Sequence, residues 1–148
     1  MRRPLTYIVF LIAVLAIGLL IGTVTRPDGW YTGLAKPSFN PPSWVFGPVW
    51  TVLYVMIAVA GARTWESGSG GFGLWLGQMA LNFAWSPVFF GLHRTGLALA
   101  IILALLALIL TFIVRRWRAD LVSALLFVPY AAWVGFASLL NAAIVALN

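Results

Sequence analysis

Long apolar runs broken by brief polar punctuation dominate the chain. Five of them, roughly 5–25, 44–62, 72–92, 96–114 and 121–147, contain no Asp, Glu, Lys, Arg or His. Each is close to the roughly 20 residues that carry a helix across a bilayer. None alternates with the period of two expected of barrel strands, and lipid-exposed backbone must pair within its own segment. The pattern therefore predicts an all-α membrane protein, a five-transmembrane-helix bundle forming one domain over 1–148. Residues 26–43 form the one long connection, a Pro/Trp-rich first loop, while "ESGSGGFG" (66–73) reads as a flexible turn. The opening Met-Arg-Arg could head a signal peptide. Its apolar run outlasts the usual core of about 7–15 residues and no small-residue cleavage pattern follows, so the first span is expected to be kept.

Composition agrees with the pattern. The chain is 63% hydrophobic and 8% charged with mean hydropathy +1.02, against roughly 25% charged residues in soluble domains. The net charge of +6 does not indicate nucleic acid, because the basic residues sit at span ends and form no stripe. They bear on orientation instead. Arg2, Arg3, Arg63, Arg115, Arg116 and Arg118 lie on one side of the expected membrane; Arg26, Lys36 and Arg94 lie on the other. The richer side is expected to be cytoplasmic, which places the N-terminus inside and the C-terminus, with the long loop, across the membrane.

The uncharged spans exclude several kinds of chemistry. Ion-coupled carriers place ionisable groups at membrane depth, and the absence of fixed-period repeats gives no inverted-repeat architecture. There is no Cys, and the single His, His93, stands at a span end beside Arg94 as an interfacial residue. With no Cys and no His at membrane depth, a thiolate metal site is excluded and ligation of iron from within the bundle is not expected. Nor can a hydrolytic triad or a carboxylate pair be assembled there. What remains for chemistry is aromatic faces, amides and hydroxyls.

These groups sort onto helix faces at about 100° per residue. On the third span, Gly73, Gly77, Ala80 and Ala84 form a small-residue face, suited either to a dimer interface between two copies or to a contact within one bundle. Gln78, Asn82 and Ser86 lie opposite, with Trp85 and Phe89. The second span gathers Phe46, Trp50, Tyr54 and Gly61 on one side; the fifth gathers Tyr130, Trp133, Ala137 and Asn141. An intramembrane amide costs free energy unless it finds a partner, so these faces are expected to turn inward. Together they fit a pocket for a large, flat, apolar molecule, or simple interhelical bonding. Trp65, Trp75 and Trp117, near span ends, read as interfacial belt residues. Gly18 and Gly22 make a further small-residue pair on the first span.

The stretch "WYTGLAKPSFNPPSWVFGPVW" (30–50) holds three Trp, one Tyr, two Phe and four Pro around a single charge, Lys36. Pro37, Pro41 and Pro42 fix φ and remove donors, keeping it extended and stiff. It suits a lid over the bundle mouth, or an interfacial aromatic turn. With "ALNFAWSPVFFGL" and "VPYAAWVGFASLLN" it resembles the three signatures of the TspO/MBR family, the tryptophan-rich sensory and translocator proteins, in the family's order and across essentially the whole chain.

The resemblance implies a five-helix bundle, often a homodimer, whose cavity is closed by the first loop and binds porphyrins such as protoporphyrin IX or haem. By motif position it implies Tyr31 and Pro42 at the lid, Trp50 on span two, Asn82 on span three, and Trp133 and Ala137 on span five. Trp50 and Trp133 would also correspond to the residues held to degrade porphyrin. Animal members carry a Tyr and an Arg shortly after the Leu-Asn pair; here Leu140-Asn141 is followed by "AAIVALN", so cholesterol handling by that motif is not expected and a bacterial type is. Three functions follow as expectations: a tetrapyrrole receptor or carrier needing no cofactor, with porphyrin or haem as its ligand; an enzyme of light- or oxygen-dependent porphyrin breakdown; or a structural protein without a small-molecule ligand.

Overall fold

The structure, a computed structural model, describes residues 4–25, 29–68 and 70–148. Arg2, Arg3 and Arg26, which enter the orientation argument, lie outside the described residues. Helix α1 runs over Pro4–Val24, α2 is a single turn at Gly29–Thr32, and α3 spans Phe46–Ser67 after a 3₁₀ turn at Ser43–Val45. Then come α4 (Phe72–Ser86), a π-helical turn (Pro87–Gly91), α5 (Thr95–Ala119) and α6 (Leu121–Leu147). No strand occurs among the described residues. The chain is an integral membrane protein: α1, α3, α5 and α6 are each long and apolar enough to cross a bilayer.

Three sequence expectations need correction. The expected third span, 72–92, is not one α-helix. Its α-helical part stops after 15 residues at Ser86, because Pro87 brings no N–H to the ladder and the chain widens into a π turn closed by Leu92 N–H on Pro87 O at 2.9 Å. Among the described residues four helices are long and apolar enough by themselves to cross a membrane, and α4 is too short to be one of them. The connection expected at 26–43 is not simply an extended loop, since α2 and the 3₁₀ turn punctuate it. The second and fourth spans also continue past their apolar ends, through Arg63 to Ser67 and through Arg115, Arg116 and Arg118 to Ala119. Before α4, Gly68, Gly70 and Gly71 take the left-handed φ that L side chains resist.

The long helices close a ring in the order α1, α3, α6, α5, α4. α1 is the loosest member, with only Val14 and Gly18 buried. Below the middle of the ring, away from the lid, the interior is solid: Ile57, Ile109, Phe112, Phe127 and Val134 are fully buried, with Phe112 stacked on Phe127 at 4.2 Å. At this basal end Arg63 forks onto Asp120, Nε to Oδ2 at 3.0 Å and Nη2 to Oδ1 at 2.8 Å. Ser123 donates to the same carboxylate, and Arg116 donates to Gly70 O and Ser67 Oγ. Burial alone would raise the Asp120 carboxyl; its bonds to Arg63 and Ser123 outweigh that and bring it down to about 2.

Candidate functional site

Above the solid half the ring is hollow. A cavity of about 640 Å³ lies between α1, α3, α4, α5 and α6, within the range of small-molecule sites. Its floor is polar. Tyr54 donates to Asn82 Oδ1 at 3.2 Å, Asn82 Nδ2 donates to Tyr130 at 2.6 Å, Tyr130 donates to Gln78 Oε1 at 2.8 Å, and Gln78 Nε2 donates to Trp75 O at 2.8 Å. This chain ties α3, α4 and α6 together and satisfies amides that would otherwise be costly at membrane depth. A second polar pair lies nearer the lid: Trp85 Nε1 donates to Asn141 Oδ1 at 3.0 Å, and Asn141 Nδ2 donates to Thr95 O at 2.9 Å.

The walls are aromatic. Trp50 packs against Tyr54 at 5.4 Å and Phe46 meets Trp133 edge to face at 5.7 Å. Trp85 stacks on Phe89 at 5.0 Å. All of these line the cavity, with Tyr31, Asn82, Ala137 and Asn141. The buried Trp133 indole N–H, like Asn40 Oδ1 on the same cavity, has no hydrogen-bond partner among the described residues. A buried, unpaired donor costs about 1–3 kcal/mol, a cost that a guest bearing an acceptor would relieve.

The segment between α1 and α3 covers the lid end. Trp30 stacks on His93 at 4.0 Å, and Tyr31 sets its edge against Phe89 and Phe90. Lys36 lies over the Tyr31 ring at 4.5 Å. Burial raises the Tyr31 phenol, with Asn40 opposing through a hydrogen bond. Asn148 pins the segment, accepting from Ala35 N at 3.1 Å and donating to Ala35 O at 2.9 Å.

Of the residues singled out in the sequence for ligand binding, Tyr31, Phe46, Trp50, Tyr54, Asn82, Trp85, Phe89, Trp133, Ala137 and Asn141 share this one wall; Pro42 does not, and its neighbours Asn40 and Pro41 take that place. Tyr130 and Gln78 are fully buried beneath the floor. On the small-residue face, Gly73 and Ala80 are exposed and Ala84 is half-buried, while Gly77 lies against Leu108 of α5.

Trp75 is not a belt residue. It is 5% exposed, donates Nε1 to Ile57 O at 2.9 Å, and fills a slot that only Gly61 leaves, where a Cβ would stand 2.4 Å from its ring. Gly61 therefore faces α4, not the cavity. Trp65 and Trp117 are exposed, as belt residues would be. Three features escaped sequence reasoning: the Trp30–His93 stack, the Thr25–Ser86 hydroxyl pair at 2.6 Å joining α1 to α4, and the Asn148 clamp. At the first of these His93 takes a left-handed φ of 58°, three residues after Phe90.

Among known proteins, the model of the TspO/MBR family matches residues 9–147. The chain is 41% identical over 145 residues to a tryptophan-rich protein TspO of Archaeoglobus fulgidus, covering 93% of this chain and 94% of that one. To the translocator protein of Homo sapiens it is 40% identical over 120 residues, 76% and 70% of the two chains. To the tryptophan-rich sensory protein of Cereibacter sphaeroides it is 37% identical over 129 residues, 86% and 82%.

Proposed function

This chain belongs to the TspO/MBR family, and on that premise we propose that it is a membrane receptor or carrier whose cavity takes a flat, apolar tetrapyrrole such as protoporphyrin IX or haem. The observation that carries the reading is the hollow itself, faced by Trp50, Trp133 and Tyr54 and holding one buried, unpaired indole donor. Aromatic contacts contribute of order 0.5–1.5 kcal/mol each beyond area burial, so several rings on one guest, added to the burial of its apolar area, support about micromolar affinity. The floor of Tyr54 and Asn82 orients the guest, and no cofactor is needed. The names of relatives, a sensory protein and a translocator, support a role in sensing or moving such a molecule.

The same proposal includes the architecture that carries the site. α4 and its π turn together span 72–91, and 20 helical residues reach about 30 Å, the thickness of the hydrocarbon core. They would cross as the fifth span, with the lid and C-terminus on the side opposite the cytoplasm. The exposed Gly73 and Ala80 would then be where a second copy packs to form a homodimer.

Titration of the protein with protoporphyrin IX, followed by quenching of Trp fluorescence, tests the reading. Trp50→Ala and Trp133→Ala should each weaken apparent affinity by about three- to thirtyfold, the equivalent of one or two aromatic contacts. Wild-type affinity in both variants would refute the cavity as the binding site.

A further inference from the structure

The cavity has two sides by which a guest could arrive, and they are built differently. The lid side is shut by the Asn148 clamp on Ala35, the Trp30–His93 stack, the Tyr31 contacts with Phe89 and Phe90, and Phe39 against Phe136 at 6.1 Å. Among the described residues the flank between α1 and α3 is less closely packed toward the lid. These helices touch at Gly18, where a Cβ would stand 2.6 Å from the Tyr54 ring. Nearer the lid, one turn along α1 and two along α3, neither Gly22 nor Gly47 has a described atom within 4 Å of where a Cβ would stand.

Leu19, Gly22 and Thr23 of α1, and Gly47 and Thr51 of α3, line the cavity and are exposed; Leu19 is 70% exposed. At about 100° per residue Gly22 falls about 40° from Gly18, on the side of α1 that meets α3, while Leu19 and Thr23 lie about 100° and 140° from it, further round the helix. The rim is fit for lipid. Thr23 Oγ1 donates to Leu20 O and Thr51 Oγ1 to Gly47 O, both at 2.9 Å, so neither hydroxyl asks for water. α1 is also the least buried of the membrane-crossing helices and the one best able to lean aside.

We propose that the gap between α1 and α3, rimmed by Leu19, Gly22, Thr23, Gly47 and Thr51, is a lateral portal through which an apolar molecule dissolved in the bilayer enters the cavity while the lid stays closed to water. An apolar guest partitions into lipid before it meets protein, so this route avoids both its desolvation in water and the opening of the lid contacts. The inference rests on the cavity as a site for apolar guests, not on the guest being a tetrapyrrole, and its test uses none.

The chain has no cysteine, so Ala137→Cys on the cavity wall supplies a single thiol. In phosphatidylcholine nanodiscs its labelling by N-phenylmaleimide, which partitions into lipid, is timed alone and with Gly22→Trp or Thr51→Trp filling the gap. A third background carries Asn148→Ala, which loosens the lid. Filling the gap should slow labelling at least about threefold, as blocking a gate does, and loosening the lid should change the rate less. Misfolding would expose the thiol and speed the reaction, so it cannot imitate this result. A smaller slowing in both gap variants, a larger change from Asn148→Ala, or no labelling of Ala137→Cys at all would overturn the portal.

Discussion

Trp75 and Trp133 are the same side chain used at opposite ends of one bundle. Trp75 sits in the solid half, its ring filling the slot left by Gly61 and its N–H given to Ile57 O. Trp133 sits in the hollow half, on a cavity wall, with its N–H buried and unpartnered. A tryptophan that finishes its packing and its hydrogen bonding within the chain is structural. One left incomplete on both counts is available to a guest.

The contrast can be broken most forcefully at its structural member. Trp75→Ala removes a buried indole and should lower stability by about 3–5 kcal/mol, seen as a large fall in melting temperature in detergent or as failure to yield monodisperse protein. A fall under about 1 kcal/mol would mean that the basal half is not the scaffold of the fold.

Acid provides the next largest effect, and it also acts on the basal half. Asp120 is held at about 2, and its side chain is 13% exposed beside Arg63 at 11%. A carboxylate held low stabilises the fold above its unfolded value and loses that contribution as pH falls. The loss should therefore run from about pH 4 down to about pH 2 and amount to roughly 2 kcal/mol. Melting temperature followed over that window should drop in the native chain and drop less in Asp120→Asn, which starts lower. Parallel curves for the two would remove Asp120 from the acid response.

The smallest effect on stability, and the sharpest test of the contrast, comes from Trp133→Phe. It deletes only the unpaired N–H and part of a ring that borders empty space. Stability should change by less than about 1 kcal/mol, whereas affinity for protoporphyrin IX should fall about three- to tenfold. Stability loss on the scale of Trp75→Ala, with binding intact, would reverse the roles of the two residues.

Much of this geometry is legible in the sequence because lipid makes polarity expensive. Gln78, Asn82, Tyr130 and Asn141 cannot face hydrocarbon unpaired, so helical spacing alone assigns the faces that turn inward. Trp75 is not legible that way. Its place near a span end suggests the interface, and only the gap at Gly61, on another helix, reveals a slot for it. Arg63 enters the count of basic residues per side without any hint that it meets Asp120, 57 residues away. The break of α4 is written in Ser86-Pro87, where a proline fifteen residues into an apolar run must end or widen the helix. In the lid no period exists to choose among prolines, and Pro41 rather than Pro42 reaches the cavity wall.

The most direct test is an experimental structure in lipid with protoporphyrin IX bound at saturation. The account predicts ring density inside the bundle, in contact with Trp50 and Trp133 and above the Tyr54–Asn82 floor. Ring density confined to the outer faces of the helices, with that chamber empty, would contradict it.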